Sequence, residues 1–184
     1  MTSLNEIAHS KEKEKKTVPQ EEIPLSYLGF FLALAVIFGY VESLVPVPIP
    51  IPGIKLGLPN LVITAILYAY SFKAALIITI VRVFIIGFLF GNLFSIMYGL
   101  CGAILSLLFM ALAKRTGMFR IAGVSALGGV MHNVGQCLMA FATVRGFPIM
   151  WYLPILMLAG LAAGILTGIA DALIIPRIHR YGVR

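Results

Sequence analysis

Six apolar runs separated by short breakers occupy most of the chain: about Leu25–Val45, Leu58–Tyr70, Ala74–Phe90, Leu93–Ala113, Ile121–Val144 and Trp151–Ile175. Runs so poor in charge belong in lipid, which offers backbone N–H and C=O groups nothing to bond, so only helices or a closed barrel can satisfy them there. The runs are continuous and far longer than the roughly 10-residue alternating segments of an outer-membrane strand, which leaves helices. Composition agrees, since 60% of the residues are hydrophobic and only 11% charged, outside the range of globular domains. The expected fold is an all-α membrane protein, a six-transmembrane-helix bundle over residues 25–184. Residues 1–24 precede it as a disordered or frayed tail, in which Lys11, Lys13, Lys15 and Lys16 nearly cancel against the glutamates. The polar N-terminus gives no sign of a signal peptide.

Orientation follows from Lys and Arg in the short connections. With a cytoplasmic N-terminus, the inside collects Lys73, Lys114, Arg115, Arg120, Arg177, Arg180 and Arg184 besides the tail lysines. The outside receives only Lys55 and Arg145. Both termini are then cytoplasmic, Trp151 and Tyr152 anchor the last span at the outer interface, and the expected location is the bacterial cytoplasmic membrane. Membrane lipid is thus a partner, and no nucleic acid is expected.

Val45–Asn60 breaks the pattern. Five of the ten prolines fall within it, and proline lacks an N–H and fixes φ near about −65°, so the stretch runs extended or as polyproline II. Its intervening residues are mostly Val, Ile and Leu. Apolar non-helical backbone is tolerated at a membrane only where it packs on protein or lines a cavity. The stretch reads as an outer loop lying over a membrane pocket, with a stiff connector as the plainer alternative. The second span is only about 20 Å long against a hydrocarbon core of about 30 Å, so it must tilt or lean on this loop.

Polar groups inside the spans are few, and each calls for a partner or a function. Glu42, Asn60, Asn92, Asn133 and Gln136 fall in the outer half, Arg82 and His132 nearer the centre, and Lys55 at the mouth. In the fifth span Ser125, Gly128, His132 and Gln136 share one face by their spacings of three and four, with Asn133 beside them. Together these residues form the candidate substrate-binding set. For Asn133 and Gln136 the alternative is interhelical hydrogen bonding, and for His132 a neutral ring satisfied by a neighbour. Arg82 cannot shed its charge, so it pairs with Glu42 or with an anionic ligand. Asp171, less than two turns from Arg177, reads as a structural partner of a cytoplasmic Arg or Lys. Phe84, Phe88, Phe90, Phe94, Tyr98 and Phe141 crowd the same region, which favours a flat or apolar cofactor-like molecule.

Small residues mark close helix approach: Gly160, Gly164 and Gly168 in the sixth span, and Gly29/Ala33 and Ala35/Gly39 in the first. Cys101 and Cys137 lie within apolar spans, and no Cys-x-x-Cys or His-Cys cluster suggests a metal. Neither a metal nor a bound cofactor is expected.

The octapeptide Gly53-Ile-Lys-Leu-Gly-Leu-Pro-Asn60 after a proline-rich stretch resembles the Gx transporter family, whose members often carry the name heptaprenyl diphosphate synthase component I. The six-span plan resembles the substrate-binding S-components of energy-coupling factor (ECF) transporters. The resemblance implies a non-enzymatic subunit that holds a small molecule at its outer side. It also implies docking on a transmembrane coupling subunit with two ATPase subunits, through the first-span face of Gly29, Ala33, Ala35 and Gly39. These residues depart from the Ala-x-x-x-Ala pattern of such proteins. Isoprenoid, quinone or flavin-related substrates fit that context. The rival implication is a non-catalytic membrane subunit of a quinone or flavin redox system or of a prenyl diphosphate pathway. Prenyl diphosphate synthesis itself needs clustered carboxylates to hold Mg²⁺ on a diphosphate, and outside the tail this chain has only Glu42 and Asp171.

Overall fold

A computed structural model describes residues 24–44, 56–143 and 149–181. Among them lie six helices: α1 (Leu25–Leu44), α2 (Leu58–Ala69), α3 (Phe72–Phe90), α4 (Leu93–Thr116), α5 (Ile121–Thr143) and α6 (Ile149–Tyr181). The expected tail, most of the proline-rich stretch with Lys55, and Arg145 lie outside the described residues. Four helices, α1, α3, α4 and most of α6, are long and apolar enough to cross a membrane. The chain is a multi-pass membrane protein built wholly of helices among its described residues.

The helix ends follow from local chemistry. Ser71 Oγ accepts the Ala74 N–H at 3.3 Å to start α3, and Asn92 Oδ1 accepts the Ser95 N–H at 2.8 Å to start α4. Gly117, at φ 67°, closes α4 in the left-handed conformation that suits glycine. Gly57, at φ 74°, turns the chain into α2, with Pro59 in the first turn where no N–H is needed.

Short α2 is the hub of the bundle, touching each of the other five helices. Every residue from Val62 to Leu67 is buried. The sequence pattern predicts a span that tilts or leans on the proline loop; most of that loop lies outside the described residues, and among them α2 is walled in by the other helices. Its side chains join Phe31 and Ala35 of α1, Ala75 and Ile78 of α3, Leu107 and Met110 of α4, and Val124 of α5 in the main core. Lys114 Nζ, on α4, donates to the Leu67 carbonyl, a group the end of α2 would otherwise leave unbonded, and sits 4.9 Å from the Tyr68 ring centre.

The most extensive helix pairing is α5 with α6. A Cβ at Gly164 would stand 2.6 Å from the Ser125 carbonyl oxygen, and one at Gly168 2.7 Å from Ala122 Cα. The sixth-span glycines thus let two backbones of this same chain meet. The first-span face divides. Gly29 has nothing within 4 Å of a would-be Cβ and Ala33 is exposed, whereas Ala35 is fully buried and a Cβ at Gly39 would press on Ile86 at 3.1 Å. Ala35 and Gly39, expected to dock a partner, therefore belong to the bundle interior, because α2 and α3 pack there.

Candidate functional site

Twelve residues of α2, about 18 Å of helix, fill only part of the space the longer helices enclose. At its N-terminal end remains a cavity of ≈ 210 Å³. All six helices contribute to its lining: Glu42 and Ser43 from α1, Pro59 and Asn60 from α2, Arg82 and Phe90 from α3, Ser95 and Gly99 from α4, His132 and Asn133 from α5, and Gly164 and Thr167 from α6.

Five of the expected ligand residues, Glu42, Asn60, Arg82, His132 and Asn133, come together there. Glu42 accepts the Gly57 N–H, bracing the turn into α2, so its carboxylate is partly committed. Arg82 is 8% exposed and its Nε has no hydrogen-bond partner, although the Glu42 charge acts on it through space. Arg82 and Glu42 both line the cavity, and no hydrogen bond or ion pair joins them directly. Asn133 Nδ2 donates to the Leu156 carbonyl, tying α5 to α6 at the cavity wall. At the far side Ser125 and Thr167 hydroxyls lie 3.1 Å apart, and Thr167 also donates to the Ala163 carbonyl at 3.0 Å.

Three expected residues stand apart. Asn92 is exposed, and its Oδ1 is taken up by the Ser95 N–H and hydroxyl, so it caps α4 rather than facing the cavity. Gln136 is 1% exposed and does not line the cavity; it lies one turn beyond His132 and packs on Gly102 of α4, with neither amide atom bonded. Lys55 lies outside the described residues. The aromatic lining is also narrower than the sequence suggests. Of the six aromatic residues only Phe90 reaches the cavity, while Phe84, Phe88, Phe94 and Phe141 are exposed on the outer surface. The aromatic residues that suggest a flat or apolar cofactor-like molecule therefore meet the cavity only at Phe90.

Sequence reasoning overlooks Ser43, Gly57, Ser95 and Thr167. Thr167 carried a usable signal, since it falls three residues after Gly164 on the same helix face. The other three sit at helix ends, where periodicity says nothing about direction.

Asp171 departs from expectation most. It is fully buried, no ion pair joins it to a basic residue among the described ones, and its polar neighbours on α2 are Thr64 and Tyr68. The helical register that carries Gly164 and Thr167 inward carries Asp171 inward too.

Residues 31–174 match the family described as heptaprenyl diphosphate synthase component I, a description that names one component of a larger assembly. No curated protein and no solved structure matches the chain.

Proposed function

The chain belongs to the heptaprenyl diphosphate synthase component I family, and from that premise we propose that it is the substrate-binding membrane subunit of an ECF-type transporter. It captures a small molecule from the outer side of a bacterial cytoplasmic membrane, and partner subunits supply the ATP-driven step. The observation that carries this reading is the cavity lined by all six helices, with the buried Arg82 in its lining. A volume of ≈ 210 Å³ is below the roughly 300–1,000 Å³ of drug-sized sites, which favours a compact ligand over a whole flavin or a prenyl chain. Arg82 favours an anionic group on that ligand, and Asn60, His132 and Asn133 stand in the same lining.

The reading does not need catalysis by this chain. Glu42 reaches the backbone at the start of α2, whereas Asp171 faces Thr64 and Tyr68 further along it. Two carboxylates so separated are a poor start for a diphosphate–Mg²⁺ site.

Affinity purification from native membranes tests the reading. A transmembrane coupling subunit and two ATPases should accompany the protein, and Gly29→Leu, on the exposed α1 face, should lose them while folding normally. Recovery of a prenyl-transferring enzyme in their place would favour the role that the family's name suggests over transport. Orientation is checked separately: a cysteine at Gly53 should be labelled from outside and one at Lys114 only from inside. Reversed labelling would place the cavity mouth on the cytoplasmic side.

A further inference from the structure

An anionic ligand would answer Arg82, yet the cavity lining also carries a carboxylate, that of Glu42. Glu42 Oε1 accepts the Gly57 N–H and so braces the turn into α2. A carboxamide oxygen would accept that N–H as well, without the cost of placing a charge in a membrane span. Bracing the turn accounts for an acceptor at position 42 but not for its charge, and it occupies one of the two carboxylate oxygens.

The surroundings of Glu42 narrow what can meet the other oxygen. Among the described residues α1 packs against α2 and α3 alone. Of the two basic residues in the cavity lining, His132 belongs to α5, which leaves Arg82 on α3. Arg82 is buried in that lining, yet no hydrogen bond or ion pair joins it directly to Glu42. Two opposite charges thus line one cavity of ≈ 210 Å³ without meeting. In so small a space a plain anion bound at Arg82 comes close to the Glu42 carboxylate, a like charge that repels it. An ammonium elsewhere on the same molecule turns that repulsion into attraction and gives Glu42 Oε2 an N–H to accept.

On the reading of this cavity as the ligand site, we propose that it selects a compact anion that also carries an ammonium group, the anionic group meeting Arg82 and the ammonium meeting Glu42 Oε2. Aminoalkyl phosphates and amino dicarboxylates have this chemistry, and both keep a net negative charge at neutral pH. Glu42 is half-buried, so its share of the affinity lies between that of an exposed pair and that of a buried one, about tenfold.

Isothermal titration calorimetry of the purified full chain in detergent tests this with two matched pairs of probes, 2-aminoethyl phosphate against propyl phosphate and glutamate against glutarate. In the wild type at least one ammonium-bearing probe should bind about tenfold tighter than its partner. Glu42→Gln keeps an oxygen for the Gly57 N–H, so it should fold normally and lose that preference. Equal binding within each pair, no binding of either ammonium-bearing probe, or a preference that survives in a folded Glu42→Gln protein would each overturn the proposal. Should Glu42→Gln fail to fold, phosphocholine decides the matter in the wild type. Its quaternary nitrogen has no N–H, so it should bind more weakly than 2-aminoethyl phosphate, and equal binding would overturn the contact with Oε2. Repeating the titrations in phosphatidylglycerol nanodiscs with and without phosphatidylethanolamine separates two sources of the same chemistry. Competition by phosphatidylethanolamine would assign it to a lipid headgroup, and unchanged titrations to a free molecule. Plain anions that bind as well as their ammonium-bearing partners would sink this inference and leave the cavity an anion site. Failure of the site itself shows separately, as equal ligand occupancy in the wild type and Arg82→Gln.

Discussion

Gly168→Leu should leave little or no folded protein in detergent. A Cβ at that position would stand 2.7 Å from Ala122 Cα and 2.8 Å from Ser125 Cβ, with the Ala122 carbonyl oxygen at 3.0 Å. These are backbone or near-backbone atoms of α5, so no side chain can swing aside. Overpacking of a core typically costs about 1–3 kcal/mol, and more where neighbours cannot yield. The α5–α6 contact is the most extensive in the bundle, and prying it open also disturbs Asn133 at Leu156 and Ser125 at Thr167. Gly168 is not part of the cavity lining, so the loss is one of stability rather than of a ligand contact. Gly29→Leu supplies the contrast, because nothing lies within 4 Å of a Cβ there and a surface change of that kind stays within about 0.5 kcal/mol. Thermal unfolding followed by size-exclusion chromatography separates the two, and a Gly168→Leu protein as stable as the wild type would show that α5 and α6 do not meet along this seam.

The existence and order of the helices are legible in the sequence because lipid allows the backbone so few choices. Their bounds follow within a few residues from Ser71, Asn92 and Gly117. Burial is less legible. The apolar pattern of α1 does not distinguish Gly29 from Gly39, since in a membrane a lipid-facing surface is as apolar as a core, and the usual inside-outside contrast vanishes. The role of α2 is hidden for the same reason; twelve apolar residues look like a deficient span until they are surrounded by other helices. At the site, spacing placed His132 and Asn133 on a shared stripe, and Arg82 announced itself by charge. Gln136 continues the same stripe one turn past the cavity, and like His132 it packs on Gly102 of α4. Asn92 looked like a ligand because an asparagine between two apolar runs is equally suited to capping a helix.

Arg82→Gln carries the largest expected effect on binding. Arg82 is 8% exposed, its Nε lacks a hydrogen-bond partner, and the carboxylate of Glu42 is engaged by the Gly57 N–H. An anionic group on a ligand would supply what the protein leaves open. Truncating one partner of a buried, hydrogen-bonded charge pair costs about 2–5 kcal/mol, or roughly 30-fold to several-thousand-fold in affinity. The substitution also removes a charge whose insertion costs about 2.5–3.5 kcal/mol, so the protein should remain folded. Gln136→Leu is the matching control: both of its amide atoms are buried without partners and it stands off the cavity, so it should keep the ligand and lose no stability. Native mass spectrometry of the wild type, Arg82→Gln and Gln136→Leu tests whether the cavity is a ligand site. The wild type and Gln136→Leu should carry the same small anionic molecule and Arg82→Gln should fly empty, whereas equal occupancy in a folded Arg82→Gln protein would contradict the assignment of this cavity.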